Sequence, residues 1–276
     1  MFLERWRWSL VKTWETCTLE TKENGIAILT FNRPEHLNAV NKQLTIDVPE
    51  ACMEVTKNDD IQVLIVTGAG KGWSAGGDIS VLAAMSSPER AKATYDWSTK
   101  IVQAIYEIDK PVIAALNGPV AGASVATMMA CDLIIAAESA KFGFNFINIA
   151  FTPDSGASYF LTQKVGYHKA LEILWFGKVL DSEEALKLGL VNKVVPTDQV
   201  LAEAEKWAER LLRAPLYTVW MDKKLVRASL KNDFYEQAEL ESLNQVLAWA
   251  SDDFKEGTMS FVEKRKPNFT GKRVYE

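Results

Sequence analysis

A chain of 276 residues with 48% hydrophobic composition can bury one large core, or a core with a smaller appendage. A formal charge of −5 and the lack of a long Lys/Arg block argue against a nucleic-acid surface, and no stretch of ~18 apolar residues exists to span a membrane. Two histidines, His36 and His168, are too few for a His-rich metal site, and three cysteines without CxxC spacing (Cys17, Cys52, Cys131) fit a reduced, cytoplasmic setting.

The opening "MFLERWRWSLVKTWETCTLE" lacks the continuous apolar core of a signal peptide. Its tryptophans (Trp6, Trp8, Trp14) are expected to pack on their own subunit or a neighbour. "NGIAILTFN" reads as a strand after a turn, and "RPEHLNAVNKQLTIDVPEACMEVTKN" as a loop running into a helix. "IQVLIVTGAG" is a buried strand ended by glycines, and "KGWSAGGD" a Gly-rich loop. "SPERAKATYDWSTKIVQAIYEID" has helical spacing, with Ile101, Ile105 and Ile108 on one face. "KPVIAALNG" is another buried strand, "AGASVATMMACD" a small-residue helix, and "LIIAAE" and "AKFGFN" two short strands. After the "FTPDSG" turn come the helix "ASYFLTQKVG", the short helix "SEEALKLGL" and the strand "VNKVVP". From about Asp198 the chain is mostly amphipathic helix. The pattern is α/β, with residues 1–200 as the core and 201–276 as a helical region that completes the core or forms an oligomer interface.

Three small-residue loops invite a chemical reading. "GWSAGGD" (72–78) leaves backbone N–H groups free to meet an acceptor, but it is not the GxGxxG of a dinucleotide site. "NGPVAGASVA" (117–126) starts a helix whose first N–H groups lack partners and lie at the positive dipole end. One amide from each loop could form an oxyanion hole; close packing of helix on sheet explains each loop alone equally well. In "TPDSGAS", Asp154 is either an ordinary helix cap, stabilising by ~1 kcal/mol, or an acid that moves a proton.

The order "FNRPEHLNAV", "GWSAGGDI", "KPVIAALNGPVAGASVATMMACDLIIAAESAKFGF", "PDSGASYFLTQKVG", "SEEALKLGLVNKVVP", "FKEGTMSFVEKRKPNF" resembles the enoyl-CoA hydratase/isomerase (crotonase) superfamily from about residue 15 onward. The resemblance implies a spiral of repeated ββα units with a helical C-terminal region that builds homotrimers, often stacked as hexamers (a dimer of trimers). It also implies an acyl-CoA thioester substrate, with coenzyme A as part of that substrate and no separate cofactor or metal. By position, the amides of Ser74 and Ala123 are expected to hold the thioester oxygen. Ser74, Gly76, Gly77 and Asp78 are expected to border coenzyme A, with Phe261 and Lys264 matching C-terminal contacts that a neighbouring subunit sometimes provides.

The positions matching the two glutamates of hydratases are Ala126 and Phe146, neither of which ionises. Asp154 sits where several isomerases of the family carry their acid. The resemblance is closest to the single-aspartate enoyl-CoA isomerases, and the expectation is a double-bond shift through an enolate, with Asp154 as acid/base. Phe144, Phe146, Phe151, Tyr159 and Phe160 are expected to exclude water. Alternatives are a hydratase with an unusual base set, a ring-opening isomerase of an aromatic epoxide CoA ester, and a non-catalytic acyl-CoA-binding protein. A dehalogenase fits poorly, because the helix before "KPVIAALNG" has no histidine.

Overall fold

The computed structural model describes residues 10–84 and 86–271; Trp6 and Trp8 lie outside the described residues. The chain begins with β1 (Leu10–Thr13) and β2 (Cys17–Thr21), antiparallel strands where the sequence reading placed none. The buried Cys17 and Leu19 alternate with more exposed Thr and Glu, a one-sided strand too short to stand out. Trp14 packs against the protein's own core, and its indole N–H donates to Glu50 at 3.0 Å.

From β3 (Ile26–Phe31) the chain winds in a spiral. Each turn lays one strand in a large sheet, one extended segment in a small sheet, and then a helix. The first turn runs from β3 through Val40 to α1 (Leu44–Lys57). The second runs from β4 (Val63–Gly68) through residues 74–77 to α2 (Ile79–Ala83) and α3 (Pro88–Glu107). The third comprises β5 (Val112–Leu116), β6 (Val120–Ala121) and α4 (Ala123–Ala130). The fourth comprises β7 (Leu133–Ala137), β8 (Lys141–Gly143) and, beyond a 3-10 turn at Asn145–Ile149, α5 (Ala157–Val165) and α6 (Tyr167–Trp175). Then come β9 (Val179–Asp181), α7 (Ser182–Lys187), β10 (Lys193–Val195), α8 (Val200–Leu212), α9 (Leu216–Ala228), α10 (Phe234–Trp249) and α11 (Asp252–Val262).

The large sheet has the order β1-β2-β3-β4-β5-β7-β10, parallel from β3 onward; the small one is β6-β8-β9. Every residue of β4 and β5 is buried, which is why "VLIVTG" and "VIAAL" read as unbroken apolar runs.

The expected boundary at residue 200 does not separate core from tail. Helix α8 lies against β4, β5 and β7 and buries Val200, Ala204 and Ala208, so it is a layer of the core. Helix α9 is clamped to it by charge: Lys223 and Arg227 reach the Asp132 carboxylate at 2.6 and 3.0 Å. Only α10 and α11 stand apart, with no buried residue on α10 and with Phe234, Trp249 and Phe261 exposed.

Candidate active site

The three loops singled out in the sequence converge, because each is the hand-over from the small sheet to a helix in successive turns. Their meeting is tight. A Cβ on Gly76 would lie 2.4 Å from the Ala121 carbonyl oxygen, and Gly76 already has φ +85. Asn38, fully buried in the preceding segment after β3, braces the start of the first loop through its amide, which donates to the carbonyls of Ala69 and Gly72 at 2.9 and 2.8 Å.

At this junction lies a pocket of about 430 Å³, partly open to solvent, whose wall includes Gly77, Asp78, Tyr95, Trp97, Ala123 and Asp154. Thr45, Thr94 and Ser98 also face it, but each hydroxyl donates to a backbone carbonyl nearby (Lys42, Arg90 and Tyr95). Their methyl and methylene groups remain for the pocket, which is therefore more apolar than its residue names suggest.

Ser74 is not an open donor. Its amide donates to the Pro119 carbonyl at 3.3 Å, and its hydroxyl contacts the Asn38 carbonyl and Ser124 at 2.7 and 2.6 Å. It is a buried tie between two turns of the spiral and does not line the pocket. Gly77, three residues on, does line it. On one side of this loop Val40 donates to the Gly76 carbonyl and accepts from the Asp78 amide. In such a parallel bridge the intervening residue turns its own N–H the opposite way. The Gly77 nitrogen lies 4.0 Å from where a Gly122 Cβ would stand, next to Ala123, the first residue of α4. A first-turn helix N–H has no acceptor within its own helix. Gly77 and Ala123 both line the pocket wall, with amides that these backbone bonds leave unused.

Asp154 does not cap α5. The N-cap is Gly156, without a side-chain cap bond, and only the Asp154 carbonyl is used, accepting from Ala157 at 2.8 Å. Ser155 and Gly156 both take positive φ, +52 and +90, in the turn that carries the carboxylate. Oδ1 of Asp154 is buried without a hydrogen-bond partner. Burial pushes the carboxyl up to about 6, against the opposing pull of the Ser155 hydroxyl and a backbone amide. The Tyr95 phenol is raised as well, by burial and then by the charge of Asp154.

Asp78 is the pocket's other carboxylate, and it is occupied. The Ser80 hydroxyl and amide donate to Oδ1 at 2.7 and 3.1 Å, and Arg33 pairs with Oδ2 at 3.3 Å. The Ser80 hydroxyl foremost, with the Ser80 amide and Arg33 adding to it, holds Asp78 below the usual carboxylate range. Gly76 is spent on the contact with Ala121, and Phe261 and Lys264 lie at the end of α11, outside the pocket wall. The aromatic residues expected to exclude water do not line the pocket. Phe144 and Phe146 are buried core, Tyr159 and Phe160 face a separate cavity, and Phe151 stands behind Tyr95, ring centroids 6.1 Å apart. Tyr95 and Trp97 take their place; helical spacing alone did not tell which face of α3 meets a cavity. His36 is exposed, and His168 lies edge-on to Tyr167, both away from the pocket.

A spiral of ββα turns with a helical C-terminal region is the crotonase fold, and a solved structure at high similarity supports this. Enoyl-CoA hydratase subunit I of Geobacillus kaustophilus HTA426 superposes with a TM-score of 0.89 at 32% identity, over 95% of this chain and all of that one. The family model described as enoyl-CoA hydratase/isomerase matches residues 21–272, and the chain belongs to that family. Its relatives include a crotonyl-CoA hydratase of Syntrophomonas wolfei, 35% identical over 94% of this chain and 99% of the relative. A 1,2-epoxyphenylacetyl-CoA isomerase of Escherichia coli is 33% identical over 91% and 97%. The protein is an acyl-CoA-processing enzyme of this family.

Proposed function

We propose that the enzyme shifts a double bond of an enoyl-CoA thioester, with Asp154 carrying the proton between two carbons. The observation behind this reading is the unpartnered Oδ1 of Asp154 in the pocket that also presents the Gly77 and Ala123 amides. The thioester oxygen would accept from those two amides, of which Gly77 replaces Ser74 as donor. Removal of the C2 proton of a 3-enoyl ester, or of the C4 proton of its 2-enoyl isomer, gives one and the same dienolate, whose developing oxyanion the amides stabilise by a few kcal/mol each. A carboxyl near 6 is basic enough to take the proton and acidic enough to return it at the other carbon.

Hydration needs a second group to position water. Ala126 and Phe146, where the hydratase glutamates would stand, are both buried and cannot ionise, and Asp78 is committed to Arg33 and Ser80. Coenzyme A enters as part of the substrate in this reading, with no further cofactor. The exposed apolar residues of α10 and α11 support a homotrimer, or a dimer of trimers, as the assembly. The test is a side-by-side assay of 3-enoyl-CoA isomerisation, 2-enoyl-CoA hydration and ring opening of an aromatic epoxide CoA ester. Hydration exceeding isomerisation would refute the proposal.

A further inference from the structure

The pocket does not end at Tyr95. It shares Lys42, Val81, Thr94 and Trp97 with a second cavity that also meets Ser80 and Arg90. Acyl carbons beyond the reacting ones have this continuation available. Lys42 stands on the wall the two cavities share, and Arg90 on the outer cavity alone.

The Lys42 ammonium stands 5.0 Å from the centroid of the Trp97 ring, and no carboxylate among the described residues pairs with it. Arg90 is likewise without an ion-pair partner there; its one side-chain contact is the Ser86 hydroxyl at 3.3 Å. Two of the acids nearby are engaged elsewhere, Asp78 with Arg33 and Asp96 with Lys92. The joined cavities therefore carry positive charge, on the exposed Lys42 and Arg90, that no carboxylate among the described residues neutralises. An all-hydrocarbon acyl chain gains nothing from it, whereas a carboxylate would find an ammonium and a guanidinium.

We propose that the preferred acyl group carries a carboxylate at its distal end, so that the substrates are mono-CoA thioesters of dicarboxylic acids, with Lys42 as the specificity-determining cation and Arg90 in support. This rests on the acyl group occupying the Asp154 pocket as in the isomerase reading. The same cations could meet a phosphate of coenzyme A, a source of anionic charge common to every CoA ester.

Binding of unreactive saturated esters separates these cases without relying on turnover. Glutaryl-, adipoyl- and suberoyl-CoA would be titrated calorimetrically against the methyl-ended pentanoyl-, hexanoyl- and octanoyl-CoA, using the full chain. We expect at least one carboxylated ester to bind about tenfold more tightly than its methyl-ended counterpart. Lys42→Met should collapse that ratio, and Lys42→Arg should restore most of it. A wild-type ratio near one at every length overturns the proposal. So does a Lys42→Met variant that weakens both members of a pair equally, the signature of a CoA-phosphate contact. If the binding preference holds while no 3-enoyl-CoA is isomerised, the isomerase reading fails and the carboxylate site stands.

Discussion

The amide of Ser74 donates to the carbonyl of Pro119 at 3.3 Å, and this bond takes it out of the set of backbone groups open to a ligand. By binding the second turn of the spiral to the third, it takes Ser74 out of the pocket and leaves the next outward-turned amide, Gly77, beside Ala123. The segment is not a regular strand: the amides of Ser74, Ala75 and Asp78 donate to Pro119, Leu37 and Val40, and Gly76 takes φ +85 between them.

Ala123 offers a clean way to remove one donor. It is the first residue of α4, the position at which proline is best accommodated, and it follows a glycine at φ +54. Ala123→Pro deletes the N–H and sets the ring Cδ in its direction, while the helix backbone tolerates the change. Turnover should fall about 100- to 1000-fold, the usual cost of one oxyanion donor. The melting temperature, followed by circular dichroism, should move by only a few degrees.

Asp154→Asn should retain acyl-CoA binding and lose at least ~100-fold in isomerisation rate. Calorimetry with a saturated CoA ester checks the first half and a coupled assay the second. Wild-type turnover in the variant would remove Asp154 from the mechanism.

The pH dependence has two parts with opposite signs. Abstraction needs the anion, so kcat/KM should rise with pH through about 6 and then level off. Folding shows the reverse, because the native carboxyl holds its proton more tightly than the unfolded one. Stability contributed by this group is therefore lost as pH climbs from about 4 to about 6, by up to ~3 kcal/mol and less where solvent reaches the group. Asp154→Asn should be more stable than wild type at pH 8, with the gap closing towards pH 4, measurable by urea denaturation across that range.

Gly76→Ala would place a methyl 2.4 Å from the Ala121 oxygen at φ +85. A loss of about 2 kcal/mol or more is expected from strain alone, along with reduced activity as the loops part. Chemical denaturation gives the first and the isomerase assay the second. An unperturbed variant would mean that the loops do not need this closeness.

Asp132→Ala would strip the counter-charge from Lys223, which is nearly buried and whose pKa is already lowered, chiefly by burial, and from Arg227. We expect about 2–4 kcal/mol of destabilisation. Limited proteolysis should then cut earlier around α9, since that helix is held to the core through this carboxylate.

Much of this protein was determined by the sequence alone. Apolar runs such as "VLIVTG" and "VIAAL" had to become interior parallel strands, because nothing in them can face water. The glycine-rich stretches between strands and helices marked where backbone comes close, and the order of the motifs identified the family. An isolated acid among small residues in "TPDSGAS" already pointed to Asp154. What only the tertiary structure decided was direction. Sequence spacing does not tell which amide of "SAGGD" bonds to a neighbouring strand and which stays open, so Ser74 was expected in a role that the proposed mechanism gives to Gly77. Nor does it tell whether Phe160 or Tyr95 faces the carboxylate, since both lie on helices with a covered face. The two roles left open for residues 201–276 could not be separated for a related reason: α8 has the amphipathic pattern of a surface helix, and whether that face meets the sheet, as it does, or a second subunit is a matter of long-range packing. Local pattern fixes which groups must be satisfied, and the packed chain chooses the partner that satisfies each one.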